Sequence, residues 1–202
     1  MEGLRLLGPG IFLDLKFHDI PNTVKGAVTS AVCLPGVHLL DLHALGGLEM
    51  MQAAAKARDE ARNAQLPVPK LLAITILTSM DNAALKGAGI AGPASKRAVQ
   101  LAKLAKKAGM DGVVASPREV RAIRRACGKD FLLVVPGIRP AASATPVGGR
   151  KRKADDQARI ATPAEAIRAG ADYLVVGRPI TAAPNPEAAA RAIIQEIASA
   201  LS

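Results

Sequence analysis

The sequence contains very few aromatic side chains. Phe, Tyr and Trp together make up 2% of its 202 residues, and Trp is absent. A surface that binds nucleic acid by stacking bases on aromatic rings is therefore poorly supplied. Half of the residues are nonetheless hydrophobic. The core must consist mainly of Ala, Leu, Ile and Val, which suits buried parallel strands covered by helices.

Cysteine is also scarce, since only Cys33 and Cys127 occur. They lie far apart and form neither a paired metal-ligand spacing nor a redox Cys-x-x-Cys motif. The three histidines show no metal-ligand spacing either. These patterns predict a reduced, cytoplasmic protein without a metal site.

Long hydrophobic runs are missing as well. No apolar stretch approaches the roughly 20 residues that a membrane-spanning helix needs. The apolar stretch in the first ten residues is too short, and too interrupted by glycine and proline, to be a signal peptide. We therefore expect a soluble protein that does not bind a membrane.

Acidic residues are outnumbered, with 17 Asp and Glu against 27 Lys and Arg, and the formal net charge is +10. Such a charge favours anionic partners, such as phosphorylated metabolites, nucleic acids or acidic membrane surfaces. The basic run from Arg150 to Lys153 is interpreted first as a solvated loop. No nucleic-acid-binding motif accompanies the charge, so no specific nucleic-acid partner is expected.

Short apolar runs alternate with longer, alanine-rich helical stretches, which predicts β-α units around a parallel sheet in one α/β domain spanning residues 1–202. Six strands are predicted, over residues 11–15, 37–42, 71–76, 112–115, 131–135 and 173–176. Helices are predicted to start near Asn22 or Thr23 and to cover roughly residues 47–64, 95–108, 117–126, 163–169 and 186–201. The irregular stretch from Pro140 to Ala161 has the length of a lid or binding loop.

Charged residues follow the first predicted strand, in the segment IFLDLKFHDIPNTV. Asp14 and Lys16 are two residues apart, so their side chains point the same way on a strand, and Asp19 follows in the turn. Active sites of such α/β folds are assembled at the carboxyl ends of strands. A lysine flanked by carboxylates should stay protonated and can donate a proton. The alternative is a charged cluster that only closes one end of the core.

Five short motifs occur in order along the chain. They are DLKFHDIPNTV from Asp14, LTS at residues 77–79, PGIRP at residues 136–140, DDQ at residues 155–157 and GRPIT at residues 177–181. Together they resemble the motifs of the orotidine 5'-phosphate decarboxylase family, over essentially the whole chain. The resemblance implies a TIM (β/α)8 barrel that converts orotidine 5'-phosphate (OMP) to UMP in pyrimidine synthesis, without a metal or organic cofactor.

The resemblance also implies roles for individual residues. Lys16 would protonate C6 of the pyrimidine as the carboxylate leaves, and Asp14 would face that carboxylate. Asp19 would complete the charged network near the interface of a homodimer. The remaining members of the implied site bind substrate: Thr23, Thr78 and Ser79, and, for the 5'-phosphate, Arg139, Gln157, Gly177 and Arg178.

Alternatives stay open for several of these residues. Thr78 and Ser79 would also suit the cap of a following helix, and Arg178 would suit a surface salt bridge. The chain as a whole could be a magnesium-dependent sugar-phosphate decarboxylase or aldolase of the same superfamily, or an inactive truncated remnant.

The chain departs from the family pattern at its start. Two early strands of the family end in an aspartate that contacts the ribose and a lysine that joins the charged network. Neither has a counterpart before Asp14. We therefore expect a barrel with about six β-α units that lacks its first two strands.

Overall fold

A computed structural model describes residues 10–140 and 159–201 of the chain. Gln157, the rest of the DDQ motif, the basic run and most of the predicted lid lie outside the described residues. The described part falls into two compact units. Unit 1 comprises residues 10–75 and 100–113, and unit 2 comprises residues 76–99, 114–140 and 159–201.

Six strands follow one another in the sheet in their sequence order. They are β1 (Ile11–Phe17), β2 (Val37–His43), β3 (Lys70–Ile74), β4 (Gly112–Val114), β5 (Leu132–Val135) and β6 (Tyr173–Leu174). The pairings of β1 with β2, of β2 with β3 and of β5 with β6 are parallel. Every predicted strand is present, with its ends shifted by at most two residues, which confirms the predicted α/β class.

The helices of the described residues lie between these strands or after the last one. They are α1 (Pro21–Val32), α2 (Gly47–Asn63), α3 (Asn82–Gly87), α4 (Ala94–Lys107), α5 (Val120–Cys127), α6 (Pro163–Ala169), α7 (Arg178–Thr181) and α8 (Pro186–Leu201), and a 3-10 turn covers Ala44–Gly46. Helix α1 begins at Pro21, and its N-cap residue, Ile20, makes no side-chain capping bond. In the part of the chain that the structure describes, no helix is long and apolar enough to cross a membrane.

The core of unit 1 is built from the strands that the sequence makes most apolar. Leu40 and Leu42 of β2 and Leu71 and Leu72 of β3 are fully buried. Successive residues of β3 are buried although they point to opposite faces, so both faces of this strand are covered.

The pattern Ala-Gly-x-Asp precedes β4 in unit 1. Gly109 ends the preceding helix with a φ of 86°, where a residue without Cβ is favoured. The carboxylate of Asp111 then accepts the backbone N–H of Leu71 at 2.8 Å and Nη1 of Arg58 at 2.5 Å. Asp111 therefore holds the amino end of the neighbouring strand β3.

The same pattern precedes β6 in unit 2. Gly170 has a φ of 106°. The carboxylate of Asp172 accepts the backbone N–H of Leu133 at 2.7 Å and Nη2 of Arg124 at 2.6 Å. The two units thus use one four-residue device to fix the amino ends of strands.

Candidate active site

Strand β1 contains an irregularity at the position of the charged segment. Leu13 pairs with Leu40 and Phe17 pairs with Leu42, so β1 advances by four residues while β2 advances by two. Lys16 lies in this bulge with a φ of 53°, which is the left-handed region that side chains rarely adopt. Asp14 and Lys16 therefore do not follow the regular alternation that the sequence pattern assumed.

The bulge brings three charged residues of unit 1 together. Nζ of Lys16 donates to Oδ1 of Asp14 at 2.5 Å, and both side chains are about half exposed. The backbone N–H of Lys16 donates to Oδ1 of Asp41, on β2, at 2.8 Å. Asp41 is 1% exposed. The second carboxylate at Lys16 is thus Asp41, which the sequence analysis did not single out.

The two carboxyl groups of this cluster have pKa values that are shifted in opposite directions. Burial raises the pKa of Asp41 to about 7, and the hydrogen bond with Asp14 acts in the same direction. Burial would also raise the pKa of Asp14, but hydrogen bonds from Asp41 and Lys16 and the Lys16 charge bring it below its ordinary value. Two adjacent carboxylates resist a double negative charge, so below about pH 7 Asp41 keeps its proton while Asp14 is ionised.

Asp19 follows this cluster in the sequence, three residues after Lys16. Its carboxylate accepts the backbone N–H of Ile20 at 2.6 Å. It also lines an open pocket of about 530 Å³, together with His18 and Gly46. Among the hydrogen bonds of the described residues, none joins Asp19 to Lys16.

Two histidines lie next to the charged cluster. The rings of His18 and His43 are 5.2 Å apart between centroids. Burial lowers the pKa of His43, and the charges of His18 and Lys16 lower it further. His43 is therefore held in its neutral form beside the lysine.

Thr23 lies in the first turn of α1 and is exposed. It does not occupy the N-cap position, because the helix starts two residues earlier at Pro21. Its side chain is therefore accessible from solvent in unit 1.

Thr78 and Ser79 form a turn after β3, in unit 2. The backbone N–H of Met80 donates to the carbonyl of Leu77 at 2.9 Å across this turn. The following helix, α3, is capped by Asp81, whose carboxylate accepts the N–H of Ala84 at 2.8 Å. The alternative that Thr78 or Ser79 caps this helix is wrong, because Asp81 fills that position.

The same turn is held by a buried ion pair. Arg159 donates from Nη2 to the carbonyl of Leu77 at 2.9 Å and from Nη1 to the carboxylate of Glu119 at 2.7 Å. Burial raises the pKa of Glu119, while the Arg159 charge and a hydrogen bond from Ser116 oppose that rise. Arg159 and Glu119 are a second buried charged feature that the sequence analysis missed.

Three residues of the expected phosphate site lie in unit 2. Arg139 follows Gly137, whose φ is 79°, and the segment is tied to Ala161 by bonds of 2.9 and 3.2 Å. Gly177 precedes α7, and no atom of the described residues beyond its chain neighbours comes within 4 Å of the place where a Cβ would stand. Arg178 is exposed at the start of α7.

Comparison with known proteins gives one consistent result. The sequence model of the "Orotidine 5'-phosphate decarboxylase / HUMPS family" matches residues 1–193. The chain belongs to this family.

Curated relatives agree with the family match. An orotidine 5'-phosphate decarboxylase of Geobacter sp. (strain M21) is 56% identical over 94% of this chain and 75% of its own length. The protein of that name from Moorella thermoacetica is 55% identical over 94% of this chain and 72% of its own length. The chain thus spans about three quarters of these decarboxylases.

Solved structures agree as well. The crystal structure of orotidine 5'-phosphate decarboxylase from Lactobacillus acidophilus matches with a TM-score of 0.79 and 40% identity, over 97% of this chain and 79% of that one. This likeness confirms the predicted fold class of the decarboxylase family.

A local signal existed for one of the two features that sequence reasoning missed. Asp41 interrupts the apolar residues of β2, VHLLDLH, and a carboxylate within a buried strand requires a partner. Arg159 carries no comparable signal, because its partner Glu119 is 40 residues away in the sequence.

Proposed function

We propose that this chain decarboxylates OMP to UMP. The observation that carries the proposal is the contact between Lys16 and ionised Asp14 at the carboxyl end of β1, in a chain of the decarboxylase family. The curated relatives most similar to it include several named orotidine 5'-phosphate decarboxylase, at about 55% identity.

The chemistry follows from the charges of the cluster. The bond between C6 and the carboxyl carbon breaks, carbon dioxide leaves, and the electron pair stays at C6. The Lys16 ammonium stabilises this developing negative charge and then transfers its proton to C6. Because the attraction grows as charge moves onto C6, Lys16 favours the transition state over the bound substrate.

Asp14 acts on the substrate carboxylate. As an anion beside that group, it disfavours the carboxylate before carbon dioxide departs, and it orients the Lys16 ammonium through their ion pair. Loss of the substrate charge relieves the repulsion. The two residues therefore act in the same direction on the barrier.

The remaining predicted residues are proposed to bind the substrate away from C6. Arg139, Gln157, the backbone of Gly177 and Arg178 hold the 5'-phosphate, since a guanidinium fork can donate two bonds to phosphate oxygens. The open space at Gly177 supports this role, because an oxygen can approach the backbone closely there.

The pyrimidine end is assigned to hydroxyl-bearing residues. Thr78 and Ser79 contact the ring by hydroxyl and backbone groups, and Thr23 contributes from the first turn of α1. The fixed turn around Thr78 and the exposed side chain of Thr23 support these assignments.

We further propose a cytoplasmic homodimer in which Asp19 lies near the neighbouring site. Asp19 is exposed and Ile20 is 66% exposed, so the surface around these two residues is accessible to a second copy of the chain. The free thiols of Cys33 and Cys127 suit a reducing compartment.

The test is the loss of OMP absorbance on addition of purified chain. Lys16→Ala should lower kcat by roughly 10³-fold, because it removes the proton donor. Lys25→Ala is the matched control, since Lys25 is also a partly exposed lysine in an ion pair, with Glu60 at 3.1 Å. It should leave kcat unchanged. Equal turnover by Lys16→Ala and wild type would contradict the proposal.

A second substrate distinguishes the proposed OMP decarboxylase from a magnesium-dependent sugar-phosphate enzyme. Turnover of a hexulose 6-phosphate that requires Mg²⁺, without turnover of OMP, would favour the sugar-phosphate enzymes of the superfamily. Absence of turnover on both substrates would identify an inactive chain.

A further inference from the structure

A buried carboxyl group lies behind the proposed catalytic pair. Asp41 is 1% exposed, and its Oδ1 accepts the backbone N–H of Lys16 at 2.8 Å. Burying a carboxyl group costs free energy unless its oxygens are hydrogen-bonded. A residue of this kind in the middle of an apolar strand therefore needs a reason beyond packing.

The bulge in β1 supplies that reason. Two extra residues of β1 stand opposite β2 between Leu13 and Phe17, so the regular backbone pairing is interrupted there. The N–H of Lys16 bonds instead to the Asp41 side chain. Asp41 thereby stabilises the left-handed backbone of Lys16, whose φ is 53°.

The other oxygen of Asp41, Oδ2, is fully buried and meets no donor among the described residues. A proton on this oxygen therefore displaces no hydrogen bond. The Asp14 side chain lies within hydrogen-bonding reach of the Asp41 carboxyl group. When Asp41 keeps its proton and donates a hydrogen bond to Asp14, Asp14 stays ionised and able to bind the Lys16 ammonium.

We propose that Asp41 is a positioning residue: it directs Lys16 through the backbone N–H and Asp14 through a carboxyl-carboxyl hydrogen bond. This role rests on the proposed decarboxylase function. Asp41 does not contact the substrate. It fixes where the ammonium and the carboxylate stand when C6 becomes negative.

Two substitutions of Asp41 distinguish an effect of its hydrogen bonds from an effect of its charge. Asp41→Asn keeps an acceptor for the Lys16 N–H and gains an amide N–H that can donate to Asp14, so its kcat should stay within about threefold of wild type. Asp41→Leu keeps the branching at Cγ but removes both bonds. Its kcat should fall roughly 100-fold, as expected for a misplacement of about 1 Å, while KM and UMP affinity change little.

A matched control accounts for lost stability. Asp172 also accepts a strand N–H, from Leu133 at 2.7 Å, but at the amino end of β5. Asp172→Leu should lower the free energy of unfolding without lowering kcat. Loss of kcat in Asp172→Leu equal to that in Asp41→Leu would overturn the proposal, because general destabilisation would then explain both.

Two further outcomes are decisive. A folded Asp41→Asn protein with kcat as low as that of Asp41→Leu would overturn the role, because charge rather than position would then matter. If Asp41→Leu does not fold, the Asn variant decides alone, and more than about a tenfold loss of kcat overturns the proposal.

Failure of the proposed function is recognised separately. Turnover of OMP by the wild-type chain is measured first and does not depend on Asp41 variants. Amide hydrogen exchange of Lys16 then tests the contact without activity: the N–H should exchange slowly in wild type and Asp41→Asn, and fast in Asp41→Leu. Equal exchange in all three would refute the contact.

Discussion

Nη1 of Arg159 lies 2.7 Å from Oε1 of Glu119, and the exposed fractions of the two side chains are 6% and 2%. The same guanidinium donates to the carbonyl of Leu77, which begins the turn of Thr78 and Ser79. Arg159 comes two residues after Gln157 in the sequence. A buried ion pair therefore fixes the backbone that carries the proposed pyrimidine-binding residues.

We expect Arg159→Met to destabilise the chain by about 3–5 kcal/mol, because it leaves the Glu119 carboxylate buried without a partner. The double variant Arg159→Met, Glu119→Leu should recover most of that loss, since no charge remains buried. Urea denaturation of the wild type, both single variants and the double variant measures the coupling. Single and double variants of equal stability would show that the ion pair is not the cause.

Arg178→Ala should weaken UMP binding by roughly tenfold to 100-fold, the usual contribution of charge-assisted hydrogen bonds to phosphate. The affinity for uridine, which lacks the phosphate, should not change. Isothermal titration of both ligands measures the difference. The control is Arg191→Ala, which removes an exposed arginine paired with Glu187 on α8. If Arg178→Ala weakens UMP and uridine equally, Arg178 does not bind the phosphate.

The stability of the chain should depend on pH through Asp41. Its pKa is about 7 in the folded chain, against an ordinary value of 3.8. Between these values the folded chain keeps a proton that the unfolded chain has released. The free energy of unfolding therefore falls as pH rises through this window. The depressed pKa of Asp14 acts below 3.8, outside the window.

Asp41→Asn isolates this effect, because asparagine does not titrate. The free energy of unfolding of wild type, minus that of Asp41→Asn, should decrease from about pH 4 to about pH 7. Urea denaturation across this range measures both. A difference that stays constant with pH would show that Asp41 is ionised throughout, despite its neighbours Asp14 and Lys16.

Removal of divalent metal with EDTA should leave OMP turnover unchanged. In the proposed reaction the negative charge at C6 is stabilised by the Lys16 ammonium, so the step needs no metal ion. Turnover with EDTA is compared with turnover in added Mg²⁺. Activity lost in EDTA and restored by Mg²⁺ would support a metal-dependent reaction of the superfamily.

The strands could be predicted from the sequence because each is a short apolar run bounded by charged, glycine or proline residues. The helices α3 and α7 were not predicted, since they have six and four residues and carry little periodic signal. The proximity of Asp14 and Lys16 was predicted from strand alternation. The structure achieves it by a bulge instead, which no pattern within β1 indicates.

The contacts of the candidate site were harder to predict. The hydrogen bond between Lys16 and Asp41 joins residues 25 positions apart in the sequence, and the one between Arg159 and Leu77 joins residues 82 positions apart. Such contacts depend on the register of neighbouring strands and on loop paths. Local propensity does not contain that information, whereas an ion pair within one turn of helix can be read directly from spacing.

The left-handed backbone of Lys16 lowers the thermal stability of the chain at the position of the proposed proton donor. A lysine at this φ carries strain of about 1 kcal/mol, which glycine would not have. Glycine would keep the N–H that bonds to Asp41, and it would lose only a half-exposed ion pair, which contributes little stability. Selection for thermal stability alone would thus tend to replace the proposed proton donor by glycine. If lysine persists at this position in laboratory evolution, the reaction itself must be under selection.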